Sequence, residues 1–233
     1  MRWLILLAAL ALAACEVAPT PPAPIGTEPV PQGRWTPEQA AVAFRQVVER
    51  VEPVAERECR QQTRGVNCDF RIQVDGNTRA APNAFQSLGD DGRPNITFTI
   101  ALIAEVRNEE ELAFVLSHEA AHHIQGHLAR QAQNAAAGAE IFAGLAAITG
   151  GNAADVETAQ EIGAFVGSRS YSREFELEAD ELGTIITHLA GYDPLKGAQF
   201  FARIPDPGNQ FLGTHPPNAE RYQRVVQTMA RLK

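Results

Sequence analysis

The sequence contains few cysteines, no excess of positive charge and no visible internal repeat. Its 233 residues include 3 Cys, and 20 Lys and Arg stand against 28 Asp and Glu, which gives a net charge of −8. An acidic chain is poorly matched to nucleic acid or to an anionic membrane surface, so neither is expected as the main partner. A chain of this length can form one sizeable domain, or two small ones, with a proper core.

The sequence also lacks an apolar run long enough to span a membrane. Residues 3–14 follow Met1-Arg2, are apolar and end in small side chains, so this short run predicts an export signal. Residues 135–151 are rich in Ala and Gly, but Glu140, the glycines and the short apolar core argue against a span. That segment is expected to form a loosely packed helix or a mobile flap.

The end of the export signal, Leu12-Ala13-Ala14-Cys15, resembles a bacterial lipobox, in which the Cys is lipidated and becomes the mature N-terminus. The alternative is an ordinary signal peptide followed by a chance Cys. Glu16 is not the Asp that retains some lipoproteins at the inner membrane, which favours the periplasmic face of the outer membrane. The Pro-rich stretch that follows predicts an extended tether. The expected organisation is a signal peptide at 1–14, a lipidated Cys and tether at 15–35, and one domain at 36–233.

The two remaining cysteines are Cys59 and Cys68. An even pair in an exported protein predicts a disulfide that closes a short loop. Two free or buried thiols are the alternative.

Hydrophobic periodicity predicts a mostly helical α+β fold with a small sheet in its N-terminal half. A helix is expected after the N-cap Thr36, and Pro53 should kink or end it. Three strands are predicted around 70–74, 84–88 and 96–100, the last of which is either a strand or a strand-to-helix junction. Four later helices are predicted. The first runs from Asn108 to about Arg130, and the second leads into Tyr171 and continues to about Ala190. The third starts at Pro194, and the last includes Ala219 to Leu232.

Residues His118-Glu119-Ala120-Ala121-His122 form an H-E-x-x-H pattern on one of these helices. Four helical residues turn about 400° and rise about 6 Å, so both imidazoles project from nearly the same face. Two such histidines can share a tetrahedral Zn²⁺, with Glu119 beside it as a possible general base. Because five-residue patterns also occur by chance, the remaining chain has to supply a third ligand.

A third ligand ten residues after the first His, as in metzincins, is excluded because position 128 is Leu and position 125 is Gln instead of Gly. His127 is one residue out of register, about 140° around a continuous helix from His122. Structural or surface roles are expected for the histidines without a partner pattern, which are His123, His127 and His188.

A carboxylate from a later helix is the other source of a third ligand, and Glu176-Leu177-Glu178-Ala179-Asp180 supplies one. Glu176 and Asp180 share a helix face, whereas Glu178 points nearly the opposite way and is the weaker candidate. Glu176 is therefore predicted as the ligand. Asp180 is predicted to accept the remaining N–H of a ligand imidazole, expected to be that of His118. A solvated acidic face is the alternative.

These motifs occur in the order found in the HtpX-like and CAAX-prenyl-protease family of zinc metallopeptidases, which the chain resembles over about residues 36–233. The other matching segments are Ser172-Arg173 ahead of Glu176, and Thr214-His215-Pro216 with Arg221. Asn83-Ala84-Phe85 is similar to the strand before the family's active-site helix. With its lipobox, the chain looks most like the periplasmic branch of BepA-like and LoiP-like proteases. It departs from the family at 86–94, where members commonly have a shorter Gly-rich turn.

The resemblance implies one Zn²⁺ per chain, bound by His118, His122 and Glu176. It implies a gluzincin-type domain that is mostly helical, with a small β-sheet beside the active-site helix. Glu119 is implied to take a proton from the attacking water and carry it to the leaving amine. Substrate is implied to bind as an extended strand along the edge that contains Asn83, Ala84 and Phe85.

Two roles are open for His215. It could act at the metal, either stabilising the oxyanion or occupying the open position in a self-inhibited state, as a His-containing loop does in related periplasmic members. It could instead form a hydrogen bond within the loop before the last helix. Arg173 and Arg221 are expected to brace the acidic residues around the site instead of contacting substrate.

The leading functional hypothesis is an outer-membrane-anchored zinc endopeptidase that acts on unfolded or misassembled envelope proteins in protein quality control. A second hypothesis is a zinc-stabilised chaperone or assembly factor for outer-membrane proteins with little proteolysis. A third is a structural lipoprotein in which the H-E-x-x-H pattern is accidental.

Overall fold

The computed structural model describes residues 35–170, 172–206, 208 and 215–232. The predicted signal peptide, the lipidation site Cys15, nearly all of the tether and Thr214 lie outside the described residues. The helices are α1 (Pro37–Gln62), α2 (Ile100–Glu105), α3 (Glu109–Ile124), α4 (His127–Ile148), α5 (Ala153–Arg169), α6 (Ser172–Leu189), α7 (Pro194–Gly197) and α8 (Asn218–Leu232). The strands are β1 (Arg71–Asp75), β2 (Ala84–Leu88) and β3 (Pro94–Thr99), and a 3-10 helix spans Ala198–Ala202. The predicted α+β class is confirmed.

Helix α1 begins as predicted, and of the two effects expected of Pro53 the helix end does not occur. Thr36 caps it through a hydrogen bond from the backbone N–H of Gln39, whose side chain accepts in return from the backbone N–H of Thr36. The helix does not end at Pro53 but continues to Gln62. Its buried stripe, which includes Val47 and Val51, packs against α3.

The three predicted strands form one mixed sheet in the order β1-β3-β2. The central strand β3 pairs in parallel with β1 and antiparallel with β2, and all six of its residues are buried. Ile100 begins α2, so the predicted strand-to-helix junction is confirmed. Strand β2 forms one edge of the sheet and packs against α3.

Helix α3, which carries the H-E-x-x-H pattern, lies between α1 and α6. Asn108 caps it by accepting a hydrogen bond from the backbone N–H of Glu111. The prediction that this helix runs to about Arg130 is wrong, because it ends at Ile124. Gly126 has a φ of 66°, a left-handed conformation that stops a helix, and α4 starts at the next residue.

Helices α4 and α5 form a closely packed antiparallel hairpin. A Cβ atom on Gly138 would lie 2.1 Å from the carbonyl oxygen of Gly163, so the two backbones approach where side chains are absent. The segment 135–151 is helical over most of its length, as expected, but it is not loosely packed against its neighbour. Within the described residues, none of the helices combines the length and apolarity required to cross a bilayer.

The structure joins Cys59, near the end of α1, to Cys68, ahead of β1, in a disulfide with a Cα–Cα distance of 5.7 Å. Both residues are buried in the main core. The bridge therefore attaches the start of the sheet to the end of the first helix.

Candidate active site

Two imidazoles from α3 and one carboxylate from α6 converge at a largely buried site. Nε2 of His118 lies 3.0 Å from Nε2 of His122, and the Glu176 carboxylate oxygens lie 3.6 Å and 3.4 Å from these two nitrogens. Gly183 allows α6 to approach α3 this closely, since a Cβ there would lie 3.0 Å from Cα of His118.

The three residues fit a divalent metal ion. Two ligand atoms at about 2.1 Å from a tetrahedral zinc ion lie about 3.4 Å apart, and the observed separations bracket that value. Oε2 of Glu176 is buried and accepts no hydrogen bond of acceptable geometry from the described residues, although Nδ1 of His215 is only 3.0 Å away. A buried carboxylate oxygen without a hydrogen bond is costly even beside the guanidinium of Arg221, and a cation at this point would provide the missing direct partner.

Asp180 and Arg221 form a buried pair behind His118. Oδ1 of Asp180 is 3.0 Å from Nδ1 of His118, and Arg221 donates to both oxygens of Asp180 at 2.7 Å and 2.8 Å. Burial acts to lower the pKa of His118, but hydrogen bonds to Asp180 and Glu176 outweigh it and raise the pKa to about 9. A metal ligand must be the neutral imidazole, so metal binding displaces that proton.

The two carboxylates beside this arginine are held in their charged form. Burial acts to raise the pKa of Asp180, and the charge and hydrogen bonds of Arg221 more than reverse this and lower it. The pKa of Glu176 lies well below its usual range, because Arg221 and the neighbouring histidines outweigh the effect of burial. An ionised carboxylate is the form that binds a metal.

A second chain of contacts, which the sequence analysis missed, begins at the other histidine. Nδ1 of His127 lies 2.8 Å from Nδ1 of His122, and Nε2 of His127 lies 3.1 Å from Oε2 of Glu178. Arg130 also donates to Glu178. The expectation that His127 points away from His122 assumed one continuous helix, and the turn at Gly126 invalidates it. Gly126 is itself the sequence signal that could have indicated this arrangement.

Glu119 lies beside the three convergent residues and lines a cleft of about 920 Å³. Burial raises the pKa of its carboxyl, and the adjacent His118 and His122 partly oppose that rise. A carboxyl whose pKa moves toward neutrality can both accept and return a proton.

The other residues expected at the site have different surroundings. His215 is half exposed, and its Nδ1 lies 3.0 Å from Oε2 of Glu176. Arg173 pairs with Glu220 of α8 at 3.0 Å. Arg221 lies 3.5 Å from Glu176 in addition to its contacts with Asp180.

The cleft separates the three convergent residues from the edge of the sheet. Asn83, Ala84 and Phe85 form part of one wall, and Phe85 is 43% exposed. Apolar side chains from other elements complete the lining, including Leu102, Phe114, Phe200 and Phe201. The space is large enough for several residues of an extended peptide.

Comparison with known sequences identifies the family. The sequence profile of peptidase family M48 matches residues 43–229, which is most of the chain and contains all the residues described above. The chain belongs to peptidase family M48. This membership confirms the resemblance that the motifs indicated, and it implies a metal, typically zinc, at the site.

Several relatives in the M48 family are similar over part of the chain. A putative beta-barrel assembly-enhancing protease of Vibrio cholerae is 35% identical over 114 residues, 45% of this chain and 23% of that protein. The beta-barrel assembly-enhancing protease of Escherichia coli O157:H7 is 31% identical over 156 residues, 58% of this chain and 29% of that protein. The mitochondrial metalloendopeptidase OMA1 of Saccharomyces cerevisiae is 28% identical over 166 residues, 67% of this chain and 46% of that protein. The chain thus spans less than half the length of these relatives.

Proposed function

We propose that the chain is a zinc-dependent endopeptidase that hydrolyses unfolded or misassembled proteins of the bacterial envelope. The observation that carries this proposal is the convergence of His118, His122 and Glu176 beside Glu119, at the base of a cleft. Membership of a metallopeptidase family agrees with it. The names of the Vibrio and Escherichia relatives support a substrate class connected with outer-membrane protein assembly.

The proposed roles follow from the geometry of the site. His118, His122 and Glu176 hold the metal, which when bound supplies a Lewis acid for the scissile carbonyl and lowers the pKa of water. Glu119 takes a proton from the attacking water and transfers it to the leaving amine. Asp180 orients His118 by accepting its Nδ1–H, and Arg221 keeps Asp180 charged.

Substrate is proposed to bind as an extended strand along β2. The carbonyl of Asn83 accepts from the N–H of Thr99, so by the alternation of an antiparallel ladder the N–H groups of Ala84 and Gln86 point away from β3. A peptide added to this edge would be recognised mainly through its backbone, which suits unfolded proteins of varied sequence.

His215 is proposed to act at the metal, and the 3.0 Å distance between its Nδ1 and Oε2 of Glu176 supports this proposal. If His215 occupies that position in a resting state, His215→Ala will increase peptidase activity. If it stabilises the oxyanion, the same variant will decrease activity.

The cellular location is proposed from the sequence. A lipid anchor at Cys15 and a tether over 15–35 would hold the peptidase domain, residues 36–233, at the periplasmic face of the outer membrane. Labelling with a radioactive fatty acid, compared between wild type and Cys15→Ala, tests the anchor.

The decisive experiment compares wild type with Glu119→Gln. The variant is expected to bind one zinc ion and to unfold no lower than the wild type, yet to lose at least about 100-fold in cleavage of an unfolded envelope protein. Inhibition of the wild type by a chelator and recovery with added zinc complete the test. Zinc binding without cleavage of any unfolded protein by the wild type would favour the assembly-factor hypothesis. A fully active Glu119→Gln would contradict the proposed mechanism.

A further inference from the structure

His127 occupies a buried position between the candidate metal site and the surface of α6. Its side chain is only 4% exposed, and its ring stacks on that of Phe175 at a centroid distance of 4.7 Å and an interplanar angle of 10°. The ring therefore has a defined plane. Within that plane, one nitrogen meets His122 and the other meets Glu178.

We propose that His127 and Glu178 are positioning residues that hold the imidazole of His122 in its metal-binding orientation. This inference rests on the metal site of the proposed function. Neither residue is a ligand: Nδ1 of His127 faces the nitrogen of His122 that points away from the three convergent ligand atoms, and Glu178 lies beyond His127.

The hydrogen-bond directions follow from the position of the metal site. Nε2 of His122 faces His118 and Glu176, so Nδ1 carries the proton of the neutral ligand. That N–H can donate only to an unprotonated Nδ1 of His127, whose own proton then sits on Nε2 and is donated to Glu178. Arg130 donates to both oxygens of Glu178 and fixes the acceptor at the end of the chain.

The two histidines of the H-E-x-x-H pattern are then supported in related ways. His118 donates directly to Asp180, which Arg221 holds. His122 reaches Glu178 through one additional ring, and Arg130 takes the place of Arg221. Ligating histidines in metal sites commonly donate their second N–H to a carboxylate, and this contact sets the tautomer and the ring orientation.

The backbone explains how His127 reaches this place. Gly126 adopts a φ of 66°, which ends the helix of the ligands and lets a new helix begin at His127. The alternating acidic residues of α6 complete the arrangement. Glu176 and Asp180 share the face toward α3, and Glu178 meets α4 at its first turn.

A purely structural role for His127 is the competing explanation. The imidazole of His127 packs on the ring of Phe175, and the guanidinium of Arg130 also lies 4.2 Å from the centroid of the Phe175 ring. His127→Phe and His127→Gln separate the two roles. Phe keeps a ring to stack but forms neither hydrogen bond. The amide of Gln can accept from His122 and donate to Glu178, although it cannot stack as a ring does.

The measurement is zinc affinity of the full chain by competition with a chromogenic chelator, together with thermal unfolding of the metal-free protein. His127→Phe is expected to bind zinc about 10- to 100-fold more weakly than wild type, and His127→Gln to recover most of that loss. His188→Phe, at an exposed position on α6, is the matched control and should leave the affinity unchanged. In the Co²⁺-substituted protein, the d–d absorption bands should shift in His127→Phe but not in the control.

Glu178→Gln tests the outer hydrogen bond, between His127 and Glu178, and it leaves the buried ring of His127 unchanged. Zinc affinity is expected to fall by up to about 10-fold, with Glu174→Gln, exposed on the same helix, as its control. The proposal would be overturned if His127→Phe bound zinc as tightly as wild type. It would also be overturned if His127→Phe and His127→Gln lost affinity equally and both unfolded at a lower temperature than wild type without metal. Failure of the wild type itself to bind zinc would instead reject the proposed function.

Discussion

Three carboxylates near the site have a guanidinium partner. Arg221 contacts Asp180, Arg203 contacts Glu111, and Arg130 contacts the partly exposed Glu178. A buried charge without compensation costs several kcal/mol, so each pair depends on both members. Glu52 differs from these residues, because burial and the negative charge of Glu56 raise its pKa despite a smaller opposing effect of Arg93.

Replacing Glu52 by Gln should stabilise the protein at neutral pH. Since the folded-state pKa lies above the unfolded value, folding disfavours the charged carboxylate, and the penalty is fully present above the folded-state pKa. It disappears as the pH falls below the unfolded value of about 4.3, where both states are protonated. Glu52→Gln is expected to raise the unfolding temperature by roughly 1–2 °C at pH 7 and to have no effect at pH 3.5.

Thermal unfolding of the metal-free protein at a series of pH values measures this difference. Glu49→Gln, on the exposed face of the same helix, is the matched control and should stay close to wild type at every pH. A lower unfolding temperature for Glu52→Gln at pH 7 would show that the charged carboxylate stabilises the folded state.

The spacings within each of the two helices of the site could be predicted from sequence, whereas the approach of Glu176 on α6 to His118 and His122 on α3 is a contact between distant segments. The spacing from His118 to His122, and from Glu176 to Asp180, corresponds to one helical turn whatever the rest of the fold does. The position of His127 depends instead on a backbone turn that separates it from His122. Because the end of α3 was predicted six residues too late, His127 was not recognised as a residue of the site.

At the scale of elements, the strands were predicted more accurately than the helix ends. Alternation along β1 and β3 and the flanking turns defined the strands, because a slip of one residue exposes the buried face. The order of the strands in the sheet could not be predicted, because alternation does not indicate which strands pair. Strand β1 pairs in parallel with β3, and β2, which lies between them in the sequence, is at the edge of the sheet. This order is what presents β2 to the cleft.

The open edge of β2 gives a test of substrate binding. Gln86→Pro removes an N–H that points away from β3, so the ladder inside the sheet keeps its hydrogen bonds. Cleavage of an unfolded protein is expected to fall by about 10-fold, the effect of losing one backbone hydrogen bond in a desolvated site. Zinc content and unfolding temperature should remain close to wild type.

Gln86→Ala provides the comparison, because it shortens the same side chain but retains the N–H. Initial rates for both variants should be measured on one unfolded substrate at concentrations below saturation. If Gln86→Pro cleaves as fast as Gln86→Ala, the substrate does not bind along this edge.

On the scale of the whole molecule, the described residues divide into a core and a projecting hairpin. Helices α1, α3 and α6 pack with the sheet around the site, while α4 and α5 pack mainly on each other and join the rest near His127. The glycines of 135–151 gave no sign of this pairing in the sequence, because their partner, Gly163, lies in a different helix. Contacts between distant segments are the information that periodicity does not contain.

The Cys59–Cys68 disulfide connects two parts of that core over a sequence separation of 9 residues. Closing a loop of this length should contribute about 2–3 kcal/mol by restricting the unfolded chain. Reduction of the metal-free protein with a phosphine is therefore expected to lower the unfolding temperature by about 5–10 °C. The double variant Cys59→Ala/Cys68→Ala should unfold near that lower temperature with or without reductant, because it has no bridge to lose. Thiol titration verifies that reduction is complete. If the fully reduced wild type then unfolds at the same temperature as the oxidised protein, the bridge does not stabilise the fold.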